Sequence, residues 1–247
     1  MIAIRTESEL DLMKRSGEIL RDCFGEIEKE LRPGVTTGEL DRIAEEFIRS
    51  HGATPAFKGY QGYPANICAS VNEQVVHGIP GPRALEEGDI IGIDIGVLRE
   101  EYYSDASRTY GIGEVGEEAQ RLMRVTREAL ELAIDLAKPG QHLSDISHAI
   151  QTHAEGAGYQ VVRTLVGHGI GRRMHEEPQI PNFGAPGRGP LLEAGMVLAI
   201  EPMVNVGTFD VLTLKDNWTY VTVDGELSAH FEDTVAVTEA GPLVLTR

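Results

Sequence analysis

The sequence predicts an α+β protein built from two similar αβ halves, and three observations carry that expectation. Leu31-Arg-Pro-Gly and Ala137-Lys-Pro-Gly each end a helical run, and each is followed by a second helical run that stops at a glycine, Gly52 or Gly158. Farther on, Gly88-Asp-Ile-Ile-Gly-Ile-Asp94 is echoed by Gly195-Met-Val-Leu-Ala-Ile-Glu201, with an acid six residues after the glycine in both copies. These matches share an offset near 106 residues, a weak form of the repeat signature. The chain of 247 residues is long enough to bury a full core, and no linker or low-complexity tract divides it. One domain over residues 1–247 is therefore expected.

Thr6 with Glu9 forms a capping box, after which Leu10, Met13, Leu20, Phe24, Ile27 and Leu31 recur at helical spacing. Thr36 with Glu39 repeats the device ahead of Leu40, Ile43, Phe47 and Ile48. Residues 54–64 read as a loop whose Phe57, Tyr60 and Tyr63 either pack or wall a pocket. Residues 67–72 read as a strand, followed by Val76-His77-Gly78-Ile79-Pro80; a lone histidine of this kind is most often structural. Residues 116–137 form a long helix with Leu122, Val125, Leu130 and Leu136, ended by Pro139-Gly140. Gly167-His168-Gly169-Ile170-Gly171 brackets a histidine with glycines, which lets backbone and substrate come close to the imidazole. It lacks the Lys-Ser/Thr end of a phosphate loop and the glycine spacing of a dinucleotide fingerprint. A last hairpin is expected at Asp224-Gly225, a type I′ signal, returning through residues 228–237, where Glu232 by itself could face solvent.

The stretch from Ile90 to Thr109 reads as a β-hairpin. Alternation puts Ile91, Ile93 and Ile95 on one face and Gly92, Asp94 and Gly96 on the other. With the turn centred between Arg99 and Glu100, Asp94 faces Asp105. Directly opposed like charges destabilise a strand pair, because their Cβ atoms lie about 5 Å apart. A divalent cation held by two hard oxygen ligands is the simplest reconciliation; a solvated hairpin in a shifted register is the alternative.

Composition narrows the partners. A formal net charge of -17 argues against unaided binding of nucleic acid or an anionic membrane, since phosphate contacts need clustered Lys and Arg. Cys23 and Cys68 are the only cysteines, so no disulfide framework is implied and a reducing cytoplasm is expected. The N-terminal residues carry no long apolar run of the kind that marks a signal peptide or a membrane span.

Asp94, Asp105, His168, Glu201 and Glu232 are thus four carboxylates and one imidazole, each in a strand-forming run or a tight glycine loop. With His-Gly-Ile-Pro at 77, Gly-His-Gly-Ile-Gly at 167, Ile-Glu-Pro at 200 and Phe-Glu-Asp-Thr at 231, this order resembles the type I methionine aminopeptidases of peptidase family M24 over nearly the whole chain. The resemblance implies the pita-bread (creatinase/aminopeptidase) fold, two pseudo-symmetric αβ halves around a curved antiparallel sheet. It implies a metalloaminopeptidase that removes N-terminal methionine from nascent proteins and peptides when the second residue is small and uncharged, by metal-activated water attack. It implies two divalent ions, cobalt, manganese, iron or zinc, with Asp94 on one, His168 and Glu201 on the other, and Asp105 and Glu232 bridging. Four carboxylates balance two such ions and leave room for an activated water. Glu201 is then the proton shuttle, His175 the oxyanion donor and His77 the contact to the scissile nitrogen, while Phe57, Tyr60, Tyr63, Cys68, Met174 and Trp218 form the pocket for the first side chain. The partner is the N-terminal peptide of a nascent chain, with room for a transient ribosome contact, and a cytoplasmic monomer is implied.

Two departures stand out. Met174 occupies a position where many relatives have Phe, and no zinc-finger extension precedes the catalytic fold, as in the bacterial form. Glu201 and Glu232 are too close in sequence for the helical insertion of type II relatives. Proline-specific dipeptidases and aminopeptidase P share the fold but carry an additional N-terminal domain. A non-catalytic binding protein on this scaffold typically loses ligands.

Overall fold

A computed structural model describes residues 2–247. In chain order the elements are α1 (Glu7–Glu28), α2 (Thr37–Ser50), β1 (Thr54–Pro55), β2 (Ile67–Val71), β3 (Gln74–Val76), β4 (Ile90–Arg99) and β5 (Tyr102–Gly111). The second half follows with α3 (Glu117–Asp135), α4 (Leu143–Gly156), β6 (Gln160–Val161), β7 (Val166–Gly169), β8 (Glu176–Pro181), β9 (Val197–Ile200) and β10 (Met203–Asn205). The remaining strands are β11 (Val211–Thr213), β12 (Tyr220–Thr222), β13 (Ser228–His230), β14 (Asp233–Thr238) and β15 (Gly241–Val244). Every strand pairing among them is antiparallel.

The internal echo is structural. Gly34 and Gly140 both adopt left-handed backbone, φ 91° and 85°, and their N–H groups donate to Leu85 O and Leu192 O. Gly88 and Gly195, φ 92° and 94°, then launch β4 and β9. Each pair of helices covers one face of its own strands. Leu20, Phe24, Leu40 and Ile48 pack on Ile91, Ile93 and Ile95, and Leu122, Val125 and Ile146 pack on Leu198, Ile200 and Val235. Each buried Ile contributes about 1.5–3 kcal/mol. A one-residue slip of β4 would send all three to the opposite face, so their burial fixes the side on which Asp94 emerges.

Two turn expectations need correction. The β4–β5 register pairs Arg99 with Tyr102, so the turn consists of Glu100 and Glu101, φ 48° and 70°. Two positive φ values define a type I′ turn, normally marked by Asn-Gly, and neither residue carries that mark. Asp94 consequently faces Ser107, and Asp105 faces Gly96. The two acids keep a common face as diagonal neighbours. At the other end of the chain Asp224-Gly225 does not close a hairpin, because β12 pairs with β11 and β3 whereas β13 pairs with β10. Asp224 instead uses its carboxylate to accept from the Thr208 and Glu226 N–H groups.

The expected run over residues 228–237 is broken between β13 and β14, and β9–β10 is broken opposite it. The pairs Ile200↔Asp233 and Met203↔His230 obey one register, so across the gap Glu201 lies opposite Glu232.

Non-glycine residues pay about 1–2 kcal/mol in left-handed backbone. Replacing Glu100-Glu101 by Asn-Gly should therefore raise the unfolding free energy by about 1–2 kcal/mol. The exposed pairs Arg15–Glu100 and Arg172–Glu101 that it removes are worth less than that. Urea midpoints with unchanged slope are the readout; no gain would contradict the turn's placement.

Candidate metal centre

The face of β4 turned away from the helices presents Asp94 beside Cys68 of β2, its cross-strand partner. From β5 comes Asp105, from β7 His168, and from the two opposed strand breaks Glu201 and Glu232. The Nδ1 of His168 lies 2.9 Å from its neighbour's carbonyl, Gly169 O, so Nδ1–H donates there and Nε2 is left facing the acids. That Nε2 is 3.7 Å from Glu201 Oε1. Asp105, His168 and Glu232 each offer a ligand atom within 4.8 Å of the others. The glycines around His168 serve strand packing. A Cβ on Gly167 would come within 2.5 Å of Ala199 O and 3.3 Å of Glu201 Cγ, and one on Gly169 within 2.2 Å of Glu177 O.

The electrostatics disfavour four free carboxylates here, so the acids either hold protons or share a cation. Burial pushes Asp94 up to about 7, partly offset by a hydrogen bond with the Asp105 carboxyl. Asp105, Glu201 and Glu232 are held well above the carboxylate range, first by burial and then by the neighbouring acids. Two like charges 4 Å apart repel by about 4 kcal/mol at an effective dielectric of 20, so four ionised acids cannot share this space unaided. Asp94 Oδ1, Asp105 Oδ1 and Glu232 Oε1 are buried with no hydrogen-bond partner. Burial and His175 push His168 down to about 3, which keeps the imidazole neutral and its Nε2 lone pair available. Hard oxygens with one neutral nitrogen fit divalent ions.

All the residues singled out from the sequence line one cavity of about 330 Å³. Part of its wall is apolar, Phe57, Tyr63, Cys68 and Met174 being buried together with Tyr60 and Trp218 packed against them. Tyr63 meets Phe57 and Trp218 edge-on, with centroids 6.5 and 5.0 Å away, and its hydroxyl donates to Ile67 O and Gly78 O. Gly96 makes room for this wall, since a Cβ there would lie 2.6 Å from the Phe57 ring. Tyr60 is more than wall, its hydroxyl lying 2.7 Å from His175 Nδ1. His77 sits in left-handed backbone, φ 59°, with its ring on the cavity and pushed by burial down to about 4. Strained backbone at a cavity wall is unlike a structural histidine.

Several contributors carried no sequence signal. Gln61, Val76, Thr164, Leu165, Val166 and Met203 complete the lining. His230 lies behind the acids, 3 % exposed, its unpartnered Nε2 3.9 Å from Glu201 and 3.8 Å from Glu232. Its neighbour Glu232, two residues on, was the available pointer. A larger cavity of about 720 Å³ lies between α1 and α3 and is lined by none of the four acids.

The sequence profile of metallopeptidase family M24 matches residues 11–239. A methionine aminopeptidase of Clostridium perfringens is 55 % identical over 246 residues, covering 100 % of this chain and 99 % of that one. The crystal structure of a methionine aminopeptidase from Thermotoga maritima superposes with a TM-score of 0.99 at 47 % identity, covering 100 % of both chains. A prolidase from Pyrococcus horikoshii shares the fold, with a TM-score of 0.81 at 24 % identity over 99 % of this chain and 63 % of its own. These neighbours identify the architecture as the pita-bread fold.

Carboxyls whose folded pKa is raised stabilise the protein below their unfolded pKa and lose that contribution as pH climbs toward the folded value, about 7 for Asp94. In chelator at pH 8, Asp105→Asn should therefore melt above the parent by roughly 2–8 °C, equivalent to about 1–2 kcal/mol in a chain of this size. With excess Mn²⁺ the order should reverse. A parent that melts higher in both conditions would contradict the repulsion.

Proposed function

The chain belongs to metallopeptidase family M24, within its methionine aminopeptidases, and on that premise we propose that it removes N-terminal methionine from nascent proteins and peptides whose second residue is small and uncharged. The observation that carries the reading is the pairing, in one cavity, of a carboxylate–imidazole cluster with a wall of aromatic and sulfur side chains. Membership of the family implies use of divalent metal. In the proposed arrangement Asp94 would hold one ion and His168 and Glu201 the other, with Asp105 and Glu232 shared between them. When bound, the ions polarise the first peptide carbonyl and lower the pKa of water.

The chain's own groups do the rest. Glu201, buried in the cavity wall, accepts a proton and passes it to the leaving amine. Tyr60 donating to His175 Nδ1 leaves the imidazole proton on Nε2, where it can stabilise the developing oxyanion. His77, kept neutral by burial, contacts the scissile nitrogen. Phe57, Tyr63, Cys68, Met174 and Trp218 enclose a long unbranched thioether and exclude water from it. Residues 1–247 act as one catalytic unit, a cytoplasmic monomer whose partner is the N-terminal peptide of a nascent chain, with room for a transient ribosome contact. No helix among the described residues is long and apolar enough to cross a membrane.

A set of peptides differing in one residue tests the assignment. Met-Ala should be cleaved at least about 100-fold faster in kcat/KM than Met-Arg, and Leu-Ala more slowly than Met-Ala by roughly 10–200-fold, the range a hydrophobic pocket achieves. Equal rates for Met-Ala and Met-Arg, or preferential cleavage of Xaa-Pro dipeptides, would remove it.

Alanine at His175 or His77 should lower kcat by about 100-fold while metal content stays near that of the parent. Elemental analysis of the two variants checks this. Loss of metal from either would make that residue a ligand and refute its role.

A further inference from the structure

Strand β5 of the first half meets the broken β13–β14 strand of the second along a seam of hydrogen bonds. Ser107 and Glu232 exchange backbone hydrogen bonds, N to O 3.3 Å one way and 2.9 Å the other. On either side a threonine hydroxyl replaces the missing backbone partner. Thr234 Oγ1 accepts from Asp105 N and donates to Asp105 O, and Thr109 Oγ1 accepts from His230 N and donates to His230 O. Asp105 belongs to the first half and Glu232 to the second, so their separation is set by this seam.

Arg108 clamps it. One guanidinium nitrogen donates both to Ser107 O, at 2.9 Å, and to Glu232 O, the two carbonyls of the central pair. The other nitrogen bonds Asp233, which is 0 % exposed. Asp233 in turn accepts from Thr246 Oγ1 and Arg247 Nε, both at 2.8 Å, so Arg108 is held from behind. A planar fork can reach two carbonyls and a carboxylate at once; an ammonium on a flexible stem cannot. Burying an ionised carboxylate is costly unless it is paired and hydrogen-bonded, as Asp233 is.

We propose that Arg108 is a positioning residue for the metal centre, fixing the distance between the Asp105 and Glu232 carboxylates that the proposed function uses as bridges. It touches neither substrate nor metal and acts through the backbone of Glu232. Braces behind metal ligands typically change metal affinity or activity by about 10–100-fold when removed.

The test is Mn²⁺ titration of the chelated, full-length protein by calorimetry, with electron paramagnetic resonance of the loaded form, for the parent, Arg108→Lys, Arg108→Gln and Asp233→Asn. The parent should take up two Mn²⁺ with a spin-coupled signal. Arg108→Lys and Arg108→Gln should bind the second Mn²⁺ about 10–100-fold more weakly, lose the coupled signal, and lower kcat with KM within threefold of the parent. Asp233→Asn, which leaves the fork but frees its back, should fall between. Arg108→Lys keeps a cation beside Asp233, so its melting temperature in chelator should stay within about 4 °C of the parent, roughly 1 kcal/mol. Should it fail to fold, the comparison passes to Asp233→Asn. Unchanged second-site affinity and coupling in these variants would overturn the proposal, as would metal losses that only track a lower melting temperature in chelator. A parent that binds no Mn²⁺ pair would sink the proposed function and this inference together.

Discussion

Three residue pairs, Asp105–Thr234, Ser107–Glu232 and Thr109–His230, stitch β5 to the broken β13–β14 strand, and the arrangement of the acids depends on them. Each half has its own helices and its own apolar core, and neither core crosses the strands to the acid-bearing face. A smaller apolar cluster, Met13 and Tyr102 with Ile170, Val197, Ala199, Ala236 and Leu245, joins the halves. At the acid-bearing strands themselves the join is made by a few hydrogen bonds between buried groups, where leaving one unmade costs about 1–3 kcal/mol.

A seam of this kind also explains why the acids sit at breaks and edges. Glu201 and Glu232 occupy gaps in otherwise regular strands, where the backbone is free to turn a carboxylate inward. The cost is electrostatic: four carboxyls are buried so deeply that protonation is favoured over charge. Ionising such a cluster would oppose folding at neutral pH, and a bound cation would offset that cost. The apolar wall needs no such compensation, and its aromatic edges pack as they would in any core.

Much of this was legible in the sequence, where the governing physics is local. Capping boxes at Thr6 and Thr36 mark helix starts to within a residue, and alternation around Asp94 assigns its face, because both depend on near neighbours. The paired glycines reveal two halves, since each needs left-handed backbone at the same point of its half. The resemblance to a known family then brought together residues that no local pattern connects, and the cavity contains all of them. What stayed hidden is long-range or atypical. Glu100-Glu101 builds a type I′ turn without its usual residues, so the sequence pattern suggests Asp94 opposite Asp105 where the register pairs it with Ser107. Asp224-Gly225 looks like a hairpin, but its aspartate is committed to Thr208. Thr109, Thr234 and Arg108 give no signal at all, because their roles exist only once the halves have met.

Whether the seam builds a two-ion site is measured directly by anomalous diffraction at the manganese edge from crystals grown with Mn²⁺. Two peaks about 3.5–4 Å apart are predicted, each within ligand distance of both Asp105 and Glu232, with Asp94 on one side and His168 and Glu201 on the other. A single ion, or two ions that Asp105 and Glu232 do not jointly contact, would contradict it.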